Sequence, residues 1–266
     1  MSKVEMRNVS LLFKDSAKEF LAIDKVNIQI EAGEFVCLVG PSGCGKSTLI
    51  SLLAGLNAPT EGEIYIDGKL VTGTGTNRGI VFQHYSLFPW LTAKKNVCFG
   101  IKQANICRNQ KEINDRAVEF LKLVGLENYG DKYPYQLSGG MQQRIAIART
   151  LAMDTEILLM DEPFGAVDPK NRLELQELTV NLCKKNSNRK AVLFVTHDID
   201  EAIFLADRII FMEPKKIKEQ IKVDLVKDLP REEVVKSGKY NEIRTTLMSL
   251  FYQDIANRIG GDEVAI

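Results

Sequence analysis

Polar and hydrophobic positions alternate across the first 35 residues, in VEMRNVSLLF and again in FLAIDKVNIQI. A period of two predicts half-buried antiparallel strands, joined here by a polar turn over residues 14–19. The pattern then changes. EFVCLV, residues 34–39, is a short run, apolar after Glu34, that ends at a glycine-rich loop, and Leu49, Ile50, Leu52 and Leu53 follow at helical spacing within residues 47–54. EGEIYIDGKLV reads as a hairpin strand turning at Asp67-Gly68.

Residues 92–130 are richer in helix formers. KEINDRAVEFLKLV, residues 111–124, carries an apolar stripe at Ile113, Ala117, Phe120, Leu121 and Val124. This predicts a mostly helical subdomain over about residues 88–151, inserted into an α/β core. Residues 157–160 and 192–195 return to the continuous apolar runs of a buried parallel sheet. A short helix over 198–206 and a last strand over 208–212 come next. From residue 222 the tail is amphipathic and charged, and it ends in a loose GGDEVAI. The expected organisation is one α/β domain over residues 1–225, opening with an antiparallel β part, then a C-terminal helical extension and tail over 226–266.

Composition narrows the classes. Lys plus Arg number 35 and Asp plus Glu 35, so no global positive field points to nucleic acid. The five cysteines are scattered without a CxxC pair, which argues against a zinc site or a disulfide framework and for reduced thiols in the cytosol. The opening MSKVEMRNVS lacks the apolar stretch of a signal peptide, and no apolar run is long enough to span a bilayer. Any membrane association is expected to come through a partner.

The candidate chemistry starts at residues 40–48, GPSGCGKST, which match GxxxxGK[ST] in full between a predicted strand and a predicted helix. In Gly40, Pro41, Ser42, Gly43, Cys44 and Gly45, glycines let backbone N–H groups turn inward around phosphates, and the helix start adds its positive end. Lys46 is expected to hold the β- and γ-phosphate oxygens, Ser47 to ligate Mg²⁺ and Thr48 to contact the α-phosphate. In ILLMDE an apolar strand ends in two carboxylates. Asp161 suits the Mg²⁺ shell, and Glu162, one residue on, suits polarising the attacking water. Finally, LSGGMQQR, residues 137–144, puts a Ser-Gly-Gly turn at the start of a helix. Alone, that turn is a plain N-cap. Lying between the two preceding motifs, it is a second anion-binding helix start.

In this order the three motifs resemble the ATP-binding domain of ABC transporters, over about residues 4–225. The resemblance implies an ATP-binding α/β core with a helical subdomain, and two copies pairing head-to-tail. Ser138, Gly139, Gly140 and Gln142 of one copy would act on ATP held by the other. It also implies roles for Gln83 in GIVFQ, a ligand of Mg²⁺ and water; for His197 in FVTHD, which contacts the γ-phosphate and steadies Glu162; and for Asp168 in PFGAVD, the aspartate of the D-loop. Val167 stands there in place of the family's more usual leucine. Phe13 fits the aromatic that stacks on adenine, with Phe20 as its rival, and either could be core. Of the two histidines, His84 reads as surface or interface.

Three stretches are similar to importer ATPases for nitrate, sulfonate, taurine or bicarbonate: GTGTNRGIVFQ (73–83), FPWLT (88–92) and HDIDEA (197–202). Thr74 and Asn77 depart from that pattern. The resemblance implies two transmembrane permease subunits, a periplasmic or lipoprotein solute-binding protein, and a peripheral position on the cytoplasmic side of the inner membrane. Tyr85, Phe88 and Trp90 either form a docking surface for the permease or pack the helical subdomain. The tail over 222–252 reads as a short dimer or docking element, too short for the extra regulatory domain that some importer ATPases carry.

Overall fold

The alternating opening forms two long strands, β1 (Val4–Asp15) and β2 (Lys18–Ile30), paired antiparallel. Strict alternation could not bury Val4 and Met6 together with Val9 and Leu11, because the two pairs differ in parity. The register shifts between Met6 and Val9, and Asn8 takes φ 48°, so a bulge moves the second pair onto the buried face. The computed structural model describes residues 3–15, 18–83, 86–165, 167–184, 190–226 and 229–262. The chain divides into two compact units, residues 1–73 with 193–266, and residues 74–192.

In the first unit, β3 (Phe35–Val39) is buried along its whole length and leads into α1 (Lys46–Ala54). β4 (Glu61–Ile66) and β5 (Lys69–Leu70) follow, completing a four-stranded antiparallel sheet in the order β2-β1-β4-β5. Asp67 (φ 50°) and Gly68 (φ 71°) are both left-handed, as a two-residue hairpin turn of the primed type requires.

The second unit opens with β6 (Arg78–Val81) and three helices, α2 (Ala93–Ala104), α3 (Gln110–Leu123) and α4 (Gly139–Ala152). Thr92 and Asn109 cap α2 and α3 through their side chains. The predicted stripe on α3 is buried, and Arg116 donates from Nε to the Ala152 carbonyl at the end of α4 (2.8 Å). Next come β7 (Ile157–Asp161), parallel to β6, and α5 (Pro169–Lys184).

The strand β8 (Ala191–Val195) is wholly buried and crosses the boundary at residue 193. The chain then returns to the first unit with α6 (Ile199–Leu205), β9 (Arg208–Glu213) and β10 (Lys216–Lys222). β9 runs parallel to β3 and pairs antiparallel with β10. Two further helices, α7 (Arg231–Lys236) and α8 (Gly238–Asp262), end the described chain. Gly260, Gly261 and Asp262 therefore finish a helix where a loose segment was expected, and residues 263–266 lie outside the described residues. Among the described residues, no helix is long and apolar enough to cross a membrane.

Asn96 organises the entry to the helical unit. It is fully buried, its Nδ2 donates to the carbonyls of Phe88, Leu91 and Thr92 (3.2, 3.1 and 3.1 Å), and its Oδ1 accepts from the Phe88 N–H (2.9 Å). A buried amide with all these bonds made cannot be removed without orphaning backbone groups. Asn96→Ala is expected to cost about 2–4 kcal/mol, read by urea unfolding, and to speed amide exchange across residues 86–92.

Candidate functional site

The glycine-rich loop joins β3 to α1 in the first unit. Gly40 (φ 155°) and Gly45 (φ 115°) take backbone conformations that side chains resist, and both are closely approached by neighbours. A Cβ at Gly40 would lie 2.3 Å from the Met212 carbonyl oxygen, and one at Gly45 would lie 2.7 Å from Ile23 Cδ1. No side chain caps α1. Its first residue, Lys46, is nearly buried, and the ammonium donates to the carbonyls of Gly40 (2.8 Å) and Pro41 (2.9 Å), so it braces the loop from within. Cys44 is buried beside it, and burial pushes its thiol pKa up, which keeps the sulfur a neutral packing atom. Ser42, Gly43 and Ser47 are exposed, and Pro41 and Thr48 are half-buried. The loop thus offers its backbone outward and keeps its bulk inside.

His197 belongs to the same unit. It is exposed, between the end of β8 and Asp198, whose Oδ1 accepts from the Glu201 N–H (3.0 Å) and caps α6. Phe13 and Phe20 are directly paired across β1 and β2, so their side chains share one face of the ribbon. They are 42% and 58% exposed, which removes the reading of either as core.

The remaining candidates sit in the second unit. Asp161, at the end of the buried β7, is itself nearly buried. Glu162 follows in the left-handed region at φ 46°, a conformation uncommon for a residue with a side chain. Gln83, just past β6, is exposed and donates from Nε2 to Glu162 Oε2 at 3.4 Å, so the structure brings these two together. Ser138 does cap α4, accepting from the Met141 N–H (3.3 Å), and remains exposed. Gly139 and Gly140 are half-buried at that helix start, and Gln142 donates back to the Leu137 carbonyl (3.1 Å). Asp168 begins α5. Its two oxygens accept from the Asn171 N–H (3.2 Å) and from Asn171 Nδ2 (2.7 Å), and these bonds hold its pKa below the usual carboxylate range.

Phe88 and Trp90 take different roles. Phe88 is half-buried against Phe99, with ring centroids 4.7 Å apart, while Trp90 is 70% exposed. His84 and Tyr85 lie outside the described residues. Sequence reasoning passed over Arg149, whose guanidinium donates to the Ser86 carbonyl (2.8 Å) and lies 5.8 Å from the Phe88 ring centroid. Burial lowers its pKa. One arginine inside the otherwise apolar run IAIARTLA was the available signal.

The chemistry of each unit suits a nucleotide taken by itself: the first carries a loop that a Cβ at either of two glycines would fill, with the Ser47 hydroxyl exposed beside it, and the second carries the Asp161 carboxylate, with the Gln83 amide on Glu162. Comparison with known proteins agrees. The family model described as ABC transporter matches residues 23–165. A nitrate import ATP-binding protein of Synechocystis is 42% identical over 262 residues, covering 98% of this chain and 96% of its own. A bicarbonate transport ATP-binding protein of the same organism is 38% identical over 98% of this chain and 91% of its own. A solved ATP-binding cassette, dimeric in a post-hydrolysis state with ADP and Pi bound, is 37% identical. It has a TM-score of 0.76 and covers 83% of this chain and 98% of its own. The chain belongs to the ABC transporter family, as an ATP-binding protein that hydrolyses ATP to drive transport.

Proposed function

We propose that this chain powers uptake of a small anion, such as nitrate, a sulfonate, taurine or bicarbonate. It would work from the cytoplasmic face of the inner membrane as one of two identical copies docked beneath two permease subunits. A periplasmic or lipoprotein solute-binding protein would deliver the anion. The near full-length likeness to importers of nitrate and bicarbonate supports the solute class. The exposed Trp90, beside the packed Phe88, supports a docking surface for the permease.

One observation carries the chemistry: Glu162 is held at φ 46° with its carboxylate in reach of Gln83. Strained residues of this kind persist where the surroundings over-determine them, and they gather at functional sites. In the proposed reaction the loop amides from Gly40, Pro41, Ser42, Gly43, Cys44 and Gly45 cradle the phosphates, and Thr48 meets the α-phosphate. Lys46 exchanges the Gly40 and Pro41 carbonyls for phosphate oxygens, which are stronger, charged acceptors. Ser47, Asp161 and Gln83 are the residues that would hold Mg²⁺, which when bound would neutralise charge on the β- and γ-phosphates. Glu162 accepts a proton from the attacking water, and His197 holds the γ-phosphate. Phe13 and Phe20 offer one aromatic face to adenine. Ser138, Gly139, Gly140, Gln142 and Asp168 act across the head-to-tail pair, where one chain's loop cannot surround the transition state alone.

Glu162→Gln should lower hydrolysis by about 10²–10⁴-fold while ATP still binds, leaving an ATP-dependent dimer visible by light scattering. Near-normal turnover would mean that another group activates the water. Chelation by EDTA should stop turnover, and Ser47→Ala should raise the Mg²⁺ concentration needed for half-maximal rate; an unchanged Mg²⁺ titration would remove Ser47 from the metal shell. For transport, the tagged chain purified from its own membranes should bring a polytopic permease, and the reconstituted complex should take up one of the named anions on ATP addition. Copurification with ribosomes or DNA-repair proteins alone would replace transport with a soluble role and leave the ATPase reading intact.

A further inference from the structure

The C-terminal helices reach the candidate site through α6. That helix has seven residues, too few to hold its own geometry in water, so its orientation must come from packing. Its buried side is set by Ala202, Ile203 and Leu205. Its other side is gripped by α7 and α8. Asp200 Oδ1, in the first turn, accepts from the Tyr240 hydroxyl (2.7 Å) and from Arg244 Nε (2.9 Å). One turn later, Phe204 packs on the Tyr240 ring, with centroids 5.5 Å apart, and the Arg231 guanidinium lies 4.7 Å from the centre of the Phe204 ring.

The residue just before this helix's cap is His197. On its other flank, Thr196 is tied to the sheet, with its N–H donating to the Leu38 carbonyl (3.3 Å) and its hydroxyl accepting from the Asp198 N–H (3.0 Å). His197 therefore hangs between a fixed strand end and a short helix whose exposed side is held by the C-terminal extension.

We propose that Asp200, Tyr240 and Arg244 form a clasp that positions His197 for hydrolysis, so the C-terminal helices are part of the catalytic support. This rests on the reading of His197 as the group that holds the γ-phosphate. The two donors differ in weight. Arg244 and Asp200 each keep 48% of their side chains exposed, and a surface ion pair contributes little. Tyr240 is 3% exposed, and a buried hydroxyl donating to a carboxylate contributes more. Burial, and then the Asp200 carboxylate, push the Tyr240 pKa up, so its proton stays on to donate. Tyr240 is the clasp's main member.

The test uses the purified full-length chain. Tyr240→Phe keeps the ring on Phe204 and removes only the donor. It is expected to lower kcat roughly three- to tenfold with KM for ATP unchanged, since one hydrogen bond to a charged group is lost from the support of the hydrolytic step. Arg244→Gln should cost less, and Arg244→Lys should restore most of what Arg244→Gln loses. His197→Ala is measured in parallel. If it loses turnover while Tyr240→Phe and the double variant with Arg244→Gln keep wild-type kcat, the clasp is overturned and the histidine's role stands. If His197→Ala turns over normally, the reading of His197 falls and takes the clasp with it. A lowered melting temperature with unchanged kcat below the transition would make the clasp structural only and would also overturn the proposal.

Discussion

The rest of this structure depends on how close the loop backbone at residues 40–45 lies to its neighbours. A Cβ at Gly40 would sit 2.3 Å from a backbone oxygen of Met212, and carbonyl oxygens cannot swing aside as side-chain tips do. The close approach requires a flat neighbour, which β9 supplies at its end, and a buried strand to launch the loop, which β3 supplies. It also requires the hairpin of β1 and β2 to present Ile23 and Ala22 where Gly45 passes. The antiparallel sheet is thus a wall of the phosphate loop as well as the platform for Phe13 and Phe20. A polyphosphate needs backbone donors it can approach closely, and at Gly40 and Gly45 the backbone runs close enough to Met212 and Ile23 that a Cβ would collide.

Several candidate residues, or their immediate neighbours, cap helices. Ser138 caps α4, Asp168 caps α5 with help from Asn171, and Asp198 caps α6 beside His197. The two readings weighed for the Ser-Gly-Gly turn, cap or anion site, are therefore compatible. A helix start concentrates unpaired N–H donors, and a capping oxygen uses one of them while fixing the direction of the others. At α1 the cap position is held by glycine, with no capping side chain. The first-turn N–H groups of α1 therefore keep no capping oxygen, whereas at α4 the Ser138 hydroxyl already accepts one.

How much of this was legible depended on whether a feature left a pattern. The glycine loop, the strand ending in Asp161 and Glu162, and the stripe on α3 are visible because motif spacing and burial coincide. β10 was not anticipated because KIKEQIK is a mostly exposed edge strand, and a polar run on an edge looks like a loop. α5 has a mixed pattern: its buried positions are Leu175, Gln176, Thr179 and Cys183, half of them polar, while Leu173 is exposed, so no apolar stripe marks it although Asp168-Pro169 is a helix-start signal. The choice between Phe13 and Phe20 turned on cross-strand register, which the turn length left open; the pairing puts both on one face and changes the question. Asn96 stands in the sequence only as the start of the Asn96-Val97 pair after FPWLT, and Arg149 as a cation in an apolar run; neither pattern shows that each binds backbone carbonyls brought near by tertiary folding.

Glu162 shows why a backbone geometry of this sort is invisible in the sequence. Left-handed backbone at a residue with a side chain costs about 1–3 kcal/mol, and nothing in the letters Asp-Glu predicts it. The surroundings explain how it persists. All five residues of β7 are buried before it, and Phe164, 2% exposed, is anchored two residues after it. The turn closes with the Gly165 N–H on the Glu162 carbonyl (3.2 Å) and the Val167 N–H on the Phe164 carbonyl (3.1 Å). A chain pinned on both sides within a few residues has little freedom between, so the strain is imposed by packing well away from the carboxylate. Val167 fits this account: it is 3% exposed, and its place in the motif demands an apolar side chain of about its size. Valine can stand where the family more usually has leucine because burial, which either side chain supplies, is what the position contributes to the turn.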